Sequence, residues 1–416
     1  MGGHTKPQLT GVAGTPCEPS RATAAMIGCA RCDKPVDEEG SGAPGSGHRC
    51  QRGDDVRRQD EAEDLVQLLT PEGERVAHPE YDLDLSKSQY RGLYRDMALV
   101  RRIDREAFAL QRLGELGMWI PCLGQEAAQI GSGRALEPDD HVFPSYREHG
   151  VAWCRGIAPL ALMGMLRGTT NGGWDPRETR FHLYTIVLGA QTLHAVGYAM
   201  GVRRDGDDSA VVAYFGDGAA SEGDVSEAFN FAAVFNAPVV FFCQNNQWAI
   251  SHPVGRQSRA PIYQRARGFG FPGVRVDGND VLACLAVTRA ALRHVRSGAG
   301  PFLIEAYTYR MGPHTTSDDP GRYQPAEELD EWRKKDPIAR IRAYLLREGM
   351  ADEAFFTEVD EEGDRMALEL RDGIIAMPDP PVDAMFDHVY ADRHALVEEE
   401  RAWYAAYLDR FEEPGA

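Results

Sequence analysis

Hydrophobic and polar positions divide the chain into regimes. Residues 1–60 are rich in Gly, Pro, Ser and charge, as in the run CDKPVDEEGSGAPGSGHRC that starts at Cys32, and hold almost no aromatic side chains. Such a stretch cannot bury enough apolar area to offset its ordering entropy, which predicts a disordered extension. From about residue 85 the spacing turns helical: Tyr90, Leu93, Tyr94, Met97, Leu99 and Val100, then Ile103, Phe108 and Leu110. Ser86 is the expected N-cap and Gly114 the stop. GQEAAQIGSGRAL (124–136) predicts a second helix, whose Ala and Gly permit close packing against a neighbour.

The middle of the chain alternates. Val211–Phe215 predicts a buried strand, Ser221–Asn236 a helix and Pro238–Cys243 a second strand. Val274–Val276 is a short strand, VLACLAVTRAALRHV (281–295) a helix, and Phe302–Tyr307 another strand. Continuously hydrophobic strands separated by helices predict an α/β fold: a mostly parallel sheet with helices on both faces. After 325 the pattern is helical and charged. The expected division is a polar extension (1–60), a linker and N-terminal helical segment (61–120), an α/β core (121–325) and a C-terminal helical segment (326–416).

Composition narrows the function classes. The formal net charge of −19 argues against a nucleic-acid partner, which needs a basic surface. No apolar run approaches the roughly 18 residues of a membrane span, and no basic-then-apolar leader is evident, so a cytoplasmic location is expected. The eight cysteines lack paired spacing in the globular part and read as reduced thiols. Cys29 and Cys32 (CARC), with His48 and Cys50, have the residue types of a zinc set, but the second pair is poorly spaced and no apolar scaffold surrounds it. Met26 is a candidate internal start.

The most informative segment is GDGAASEGDVSEAFNFAAVFNAPVVFFCQNN, from Gly216 to Asn246. It reads as strand, glycine turn, helix, strand, and ligands bind at the carboxyl ends of such strands. Gly216 and Gly218 flank a turn where backbone must approach something closely. Asp217 ends the first strand and Asn245-Asn246 the second, so neighbouring strands would bring a carboxylate and a carboxamide together. Hard oxygen ligands with one negative charge suit Mg²⁺, which completes its shell with phosphates and water. The chain has neither GxxxxGK[ST] nor a helix-opening GxGxxG. Alone, a GDG after a strand or an NN turn says little; their joint spacing around this unit points to a metal–diphosphate site.

GDG followed by NN at this spacing resembles the thiamine diphosphate motif of transketolase-like enzymes. More closely, the chain is similar to the alpha subunit of the decarboxylating component of 2-oxo acid dehydrogenase complexes. The stretches LGQEAAQIG (123–131), FPSYREHGVAWCRG (143–156), LGAQTLHAVGYAMG (188–201), VDGND (276–280), YRMGPHTTSDDPGRYQ (309–324) and KKDPIARIRAYL (334–345) stand in that family's order and cover roughly residues 85–410.

The resemblance implies a thiamine diphosphate-binding fold and a set of residue roles. Asp217 and Asn246 match side-chain Mg²⁺ ligands, and Trp248 a position that offers its backbone carbonyl. Tyr146 and Arg147 match a pair gripping the diphosphate. Gly216, Gly218, Ala219, Ile186, Leu188 and Gln244 fall at cofactor-binding positions. His314 matches the active-site histidine, and its polar loop carries no core pattern. Ile186 and Val187 replace a Ser-rich stretch that holds potassium ligands in some members, and Gln244 stands where some branched-chain enzymes carry Arg. Thr315 and Ser317 occupy positions of regulatory phosphorylation in some members.

The implied activity is oxidative decarboxylation of a 2-oxo acid, with transfer of the acyl group to a lipoyl group of the acyltransferase component. The carboxylate that activates the cofactor's aminopyrimidine comes from a beta subunit in this family, which implies an α₂β₂ enzyme. The TTSDD run resembles branched-chain enzymes, whereas GPHT followed by DDP also occurs in heterotetrameric pyruvate dehydrogenases; the expected preference is branched-chain. A transketolase-type enzyme would bring its own pyrimidine-binding domain, for which no room remains after 325. A non-catalytic subunit would lose the set Arg147, Asp217, Asn246 and His314.

Overall fold

Side chains alternate between the two faces of a strand, and here both faces are buried. Six parallel strands form one sheet in the order β1-β7-β8-β4-β3-β2: β1 Leu65–Val66, β2 His141–Phe143, β3 Val211–Gly216, β4 Val239–Asn245, β7 Gly273–Asp277 and β8 Phe302–Tyr307. These come from a computed structural model, which describes residues 65–411 with Asn171 excepted. Two further short strands, β5 Trp248–Ala249 and β6 His252–Pro253, pair antiparallel beside the sheet. The CARC pair, His48, Cys50 and Met26 lie outside the described residues. Cys122, Cys154, Cys243 and Cys284 are free thiols, as expected.

The alternation sorts the core into two layers. Val212 and Tyr214 of β3, Val240 and Phe242 of β4, and Ile304 of β8 pack under the helices Lys87–Arg112, Glu126–Gly133 and Val281–Arg296. Val211, Ala213 and Phe215, with Val239, Phe241 and Cys243, face the helices Ala190–Asp205 and Gly223–Val234. A register slip of one residue would exchange the layers, so pairing is strongly specified.

Helix boundaries follow the predicted signals. Ser86 caps Lys87–Arg112 in a capping box with Gln89. Gly114, at φ +84°, takes the left-handed position after its end, where Gly114 N–H donates to Gln111 O and Glu115 N–H to Leu110 O. A Cβ on Gly131 would lie 2.6 Å from Cys284 Cβ, which is why the helix Glu126–Gly133 lies so close to Val281–Arg296.

Three elements had no clear pattern. β1 and β2 are too short for a period to register. The helix Ala190–Asp205 carries Gly197 and Gly201 and little segregation of apolar residues. The VDGND stretch is a structural staple: Asp280 Oδ1 caps Val281–Arg296 through Leu282 and Ala283 N–H at 2.9 and 3.0 Å. Its Oδ2 accepts from Leu68 and Leu69 N–H, both at 2.6 Å, tying the segment after β1 to that helix.

Candidate active site

The register of β3 and β4 pairs Gly216 with Gln244, so Asp217 and Asn246 emerge side by side at the carboxyl edge of the sheet. A cleft of about 360 Å³ opens over that edge, within the size range of small-molecule sites. The first turn lines it with Gly216, Asp217, Gly218 and Ala219, and the second with Gln244, Asn246 and Trp248. Tyr146 and Arg147 arrive from the loop after β2, Leu188 from the loop before Ala190–Asp205, and His314 from the loop after β8. Ile186 stands apart from these residues. It is not part of the cleft wall and is 68% exposed, beside Val187 at 71%.

The two asparagines have different jobs. Asn245 Nδ2 donates to the buried Glu305 carboxylate at 2.6 Å, and its Oδ1 accepts from Gln247 N–H at 3.1 Å, so it belongs to the scaffold. Asn246 faces the cleft; its Nδ2 donates to Gln125 Oε1 at 3.1 Å, and its Oδ1 takes only a long contact, 3.3 Å, from Trp248 N–H. Gln247 and Ile250 hold the following loop in left-handed backbone, φ +70° and +53°. For a β-branched residue such as Ile250 this is a strained conformation that surrounding contacts must impose.

Several features fit a cation with a diphosphate. Asp217 is 2% exposed and its Oδ2 has no hydrogen-bond partner among the described residues. Burial pushes its pKa up to about 7, opposed by its own backbone and by the Arg310 charge. A buried carboxylate oxygen left unpaired is costly unless a cation or a proton meets it. At Gly218 a Cβ would sit 2.7 Å from Ala249 Cβ, so only glycine lets the turn lie against the 248–250 loop. The donor set of one carboxylate, one carboxamide oxygen and backbone carbonyl suits a hard divalent cation. It contains no cluster of three His, Cys, Asp or Glu, and none occurs among the described residues.

Behind the cleft, Arg310 is fully buried and serves five acceptors, its Nε donating to Gly312 O at 3.3 Å. Its Nη1 donates to Trp248 O at 3.1 Å and stands 3.4 Å from His314 Nδ1; its Nη2 donates to Ile250 O at 2.8 Å and Tyr323 OH at 2.6 Å. The fork therefore locks the 248–250 loop to the His314 loop. Arg147 Nη2 donates to His314 O and Nδ1, each at 3.1 Å, while its Nη1 bonds Pro121 O. Guanidinium N–H groups only donate, so His314 Nδ1 accepts and the ring proton sits on Nε2. Burial, then Arg147 and Arg310, hold the His314 pKa down to about 3. Asp318 Oδ2 anchors the loop by accepting His314 N–H at 2.7 Å and the Tyr323 hydroxyl.

Sequence reasoning missed Arg310, Gln125 and Glu148. Arg310 had a signal: a cation just past the apolar strand FLIEAY, near the candidate histidine. Glu148 is buried beneath the cleft, accepting from Gln244 Nε2 at 2.6 Å and Ser145 Oγ at 2.8 Å, and burial raises its pKa. Gln125, which precedes the helix Glu126–Gly133, keeps an unpaired buried Nε2 at the cleft wall. In the 311–323 loop Ser317 is exposed and Thr315 half-buried, while the buried Thr316 Oγ1 accepts from Trp119 N–H.

A six-stranded parallel sheet carrying a diphosphate-type cleft at the Gly216–Asn246 unit defines a class of cofactor enzyme. Residues 94–369 match the family model described as the dehydrogenase E1 component, and the chain belongs to that family of thiamine diphosphate-dependent 2-oxo acid dehydrogenases. It is 48% identical over 346 residues to the 3-methyl-2-oxobutanoate dehydrogenase subunit alpha of Mycobacterium tuberculosis, covering 83% of this chain and 94% of that one. It is 36% identical over 361 residues to the human mitochondrial 2-oxoisovalerate dehydrogenase subunit alpha, covering 84% and 81%. The pyruvate dehydrogenase E1 component subunit alpha of Staphylococcus aureus is 38% identical over 300 residues, covering 72% and 81%.

Proposed function

We propose that the chain is the alpha subunit of a branched-chain 2-oxo acid dehydrogenase. It acts with a beta subunit and a lipoyl-bearing acyltransferase component, and holds thiamine diphosphate through Mg²⁺. The observation that carries the cofactor reading is the orphaned, buried Oδ2 of Asp217 at the carboxyl end of β3, beside Asn246. The substrate reading rests on the 48% identity to a 3-methyl-2-oxobutanoate dehydrogenase subunit, against 38% for a pyruvate dehydrogenase subunit.

Bound thiamine diphosphate would supply the carbanion that adds to the keto carbon and the electron sink that takes up the bonding pair as carbon dioxide leaves. This chain's residues hold and orient. Asp217, Asn246 Oδ1 and the Trp248 carbonyl would hold the cation, the last keeping a second lone pair beside its bond from Arg310. Arg147 and Tyr146 stand at the cleft wall for the diphosphate. His314 offers an Nε2 proton to an oxygen that gains charge, and the two arginines on Nδ1 keep it a neutral donor.

The test is reconstitution with the cognate beta subunit, followed by decarboxylation of 3-methyl-2-oxobutanoate and pyruvate side by side. Preference for the branched-chain acid, and no turnover by this chain alone, is the expected result. Preference for pyruvate would transfer the assignment to a pyruvate dehydrogenase, and robust turnover without a partner would overturn the two-subunit reading.

A further inference from the structure

A second cavity, of about 280 Å³, shares no residue with the active-site cleft. It opens where the first turns of the helix Lys87–Arg112 meet Arg134 and the helix Val281–Arg296. Its floor is apolar: Leu85, Leu93 and Leu285 are 8%, 3% and 2% exposed. Its remaining wall residues are polar: Arg134, Arg289, Ser88 and Gln89. Gly92 leaves the helix surface bare between them. A Cβ placed there would meet only Arg134 Nη2, at 4.0 Å, so the space is open to an occupant.

The two arginines differ. Arg134 is engaged, its Nε donating to the buried Asp96 at 2.6 Å. Arg289, half-buried, has no ion-pair or hydrogen-bond partner among the described residues. In a chain with 64 acidic residues against 45 basic ones, an unclaimed guanidinium on a cavity wall stands out. Gln89 adds direction: its Oε1 is taken by Ser86 N–H at 2.9 Å, which leaves its NH₂ group to donate.

The geometry points to a binding site for a small organic monocarboxylate with a short aliphatic chain. The planar fork of Arg289 matches a carboxylate, and the three leucines match an alkyl chain. An inorganic anion would leave the apolar floor unused, and a neutral hydrocarbon would leave Arg289 unpaired. The volume lies at the small end of ligand sites, which suits an acid of a few carbons and excludes a nucleotide. The helix Glu126–Gly133 joins the two cavities: Gln125 at its start lines the active-site cleft, and Arg134 at its end lines this one.

Acids without a keto group keep the test clear of the chemistry. Acetate, propanoate, 3-methylbutanoate and 4-methylpentanoate are titrated into the full chain by calorimetry and by ligand-observed NMR. Saturable binding at one site is expected, tightening about threefold to fourfold per added methylene. Arg289→Gln and Gly92→Leu should each weaken 4-methylpentanoate roughly tenfold or more, with the melting temperature unchanged. Asp217→Asn should leave the titration as it is. Were Arg289→Gln to perturb the fold, Gly92→Leu, with both arginines intact, decides alone. Affinity independent of chain length, undiminished binding in Gly92→Leu, or loss in Asp217→Asn, which would move the ligand to the active-site cleft, each overturns the proposal.

Discussion

Arg147 Nη2 lies 3.1 Å from His314 Nδ1, and Arg310 Nη1 approaches the same nitrogen to 3.4 Å. A proton on Nδ1 would face two cations and displace both donors. Burial first, and then these two cations, hold His314, poised over the cleft, neutral with its pKa at about 3. An isotope-labelled histidine titration should show the His314 resonances flat between about pH 8 and 5, where an ordinary histidine changes charge near 6.5. A His314 signal that titrates near pH 6 would contradict the geometry.

Asp217→Asn separates stability from ligand binding. The carboxylate is buried with Oδ2 unpaired, and burial already drives it toward the protonated form. A neutral isostere therefore removes a desolvation cost, and the unliganded chain should be as stable or up to about 1 kcal/mol more so. Metal-dependent binding of thiamine diphosphate should fall by two orders of magnitude or more, since the anionic ligand is gone. Thermal melts with and without Mg²⁺ and cofactor measure both halves.

How much of this was legible follows from the same residues. The Gly216–Asn246 unit was readable because a buried strand, a glycine turn and a second strand leave period and punctuation in one continuous stretch. Observed β3 and β8 match their predicted spans to within a residue, and β4 runs on into Gln244 and Asn245. The division of labour between Asn245 and Asn246 was less visible, because it depends on Glu305, sixty residues away, accepting the first amide. The position of Arg310 just past FLIEAY was a signal, but its bonding role was hidden for the same reason. Its acceptors Trp248 O and Ile250 O lie about sixty residues earlier in the chain and meet it only in three dimensions. Ile186, a position carried over by resemblance, is exposed on this chain.

Gly131→Ala tests the close approach of two helices. The added Cβ would lie 2.6 Å from Cys284 Cβ and 2.9 Å from the Val281 carbonyl, the latter on backbone that cannot swing aside. Overpacking of this kind costs about 1–3 kcal/mol, despite the better helix propensity of alanine. The displaced helix also carries Gln129, which donates to Arg147 O at 2.8 Å and Gln244 Oε1 at 3.1 Å. Denaturant unfolding should show the stability loss, and cofactor titration a smaller loss of affinity.

Arg310→Lys keeps the charge and loses the fork. One ammonium cannot reach the Trp248 and Ile250 carbonyls, the Tyr323 hydroxyl and His314 together. The strained backbone at Ile250 then loses one of its restraints. The expected result is a loop 248–250 that cleaves faster under limited proteolysis, with cofactor affinity reduced by about 2 kcal/mol. Cleavage at the wild-type rate would show that the guanidinium does not hold the loop.

His149 sets a pH limit on stability. It is buried, its ring lies 4.3 Å from Trp119 in a stack, and its Nε2 donates to Ile120 O at 2.8 Å while Nδ1 accepts from Tyr184 OH at 2.8 Å. Burial holds its folded pKa down to about 4, below the ordinary 6.5 of the unfolded chain. Between those values the unfolded state binds the extra proton. The contribution to stability is therefore whole above about pH 6.5 and lost as pH falls toward 4, roughly 3 kcal/mol in all. Asp104 and Asp217, whose pKa values are pushed up to about 7, shift stability the opposite way over the same range, so the total pH dependence hides the single group. Comparison with His149→Gln isolates it, because those carboxyl groups remain in both proteins and Gln supplies a donor and an acceptor without titrating. Denaturant unfolding should find the wild type clearly more stable than the variant at pH 7.5, with the gap narrowing by about one proton's slope toward pH 4.5. A gap that stays constant across that range would mean His149 is already free to protonate in the folded state.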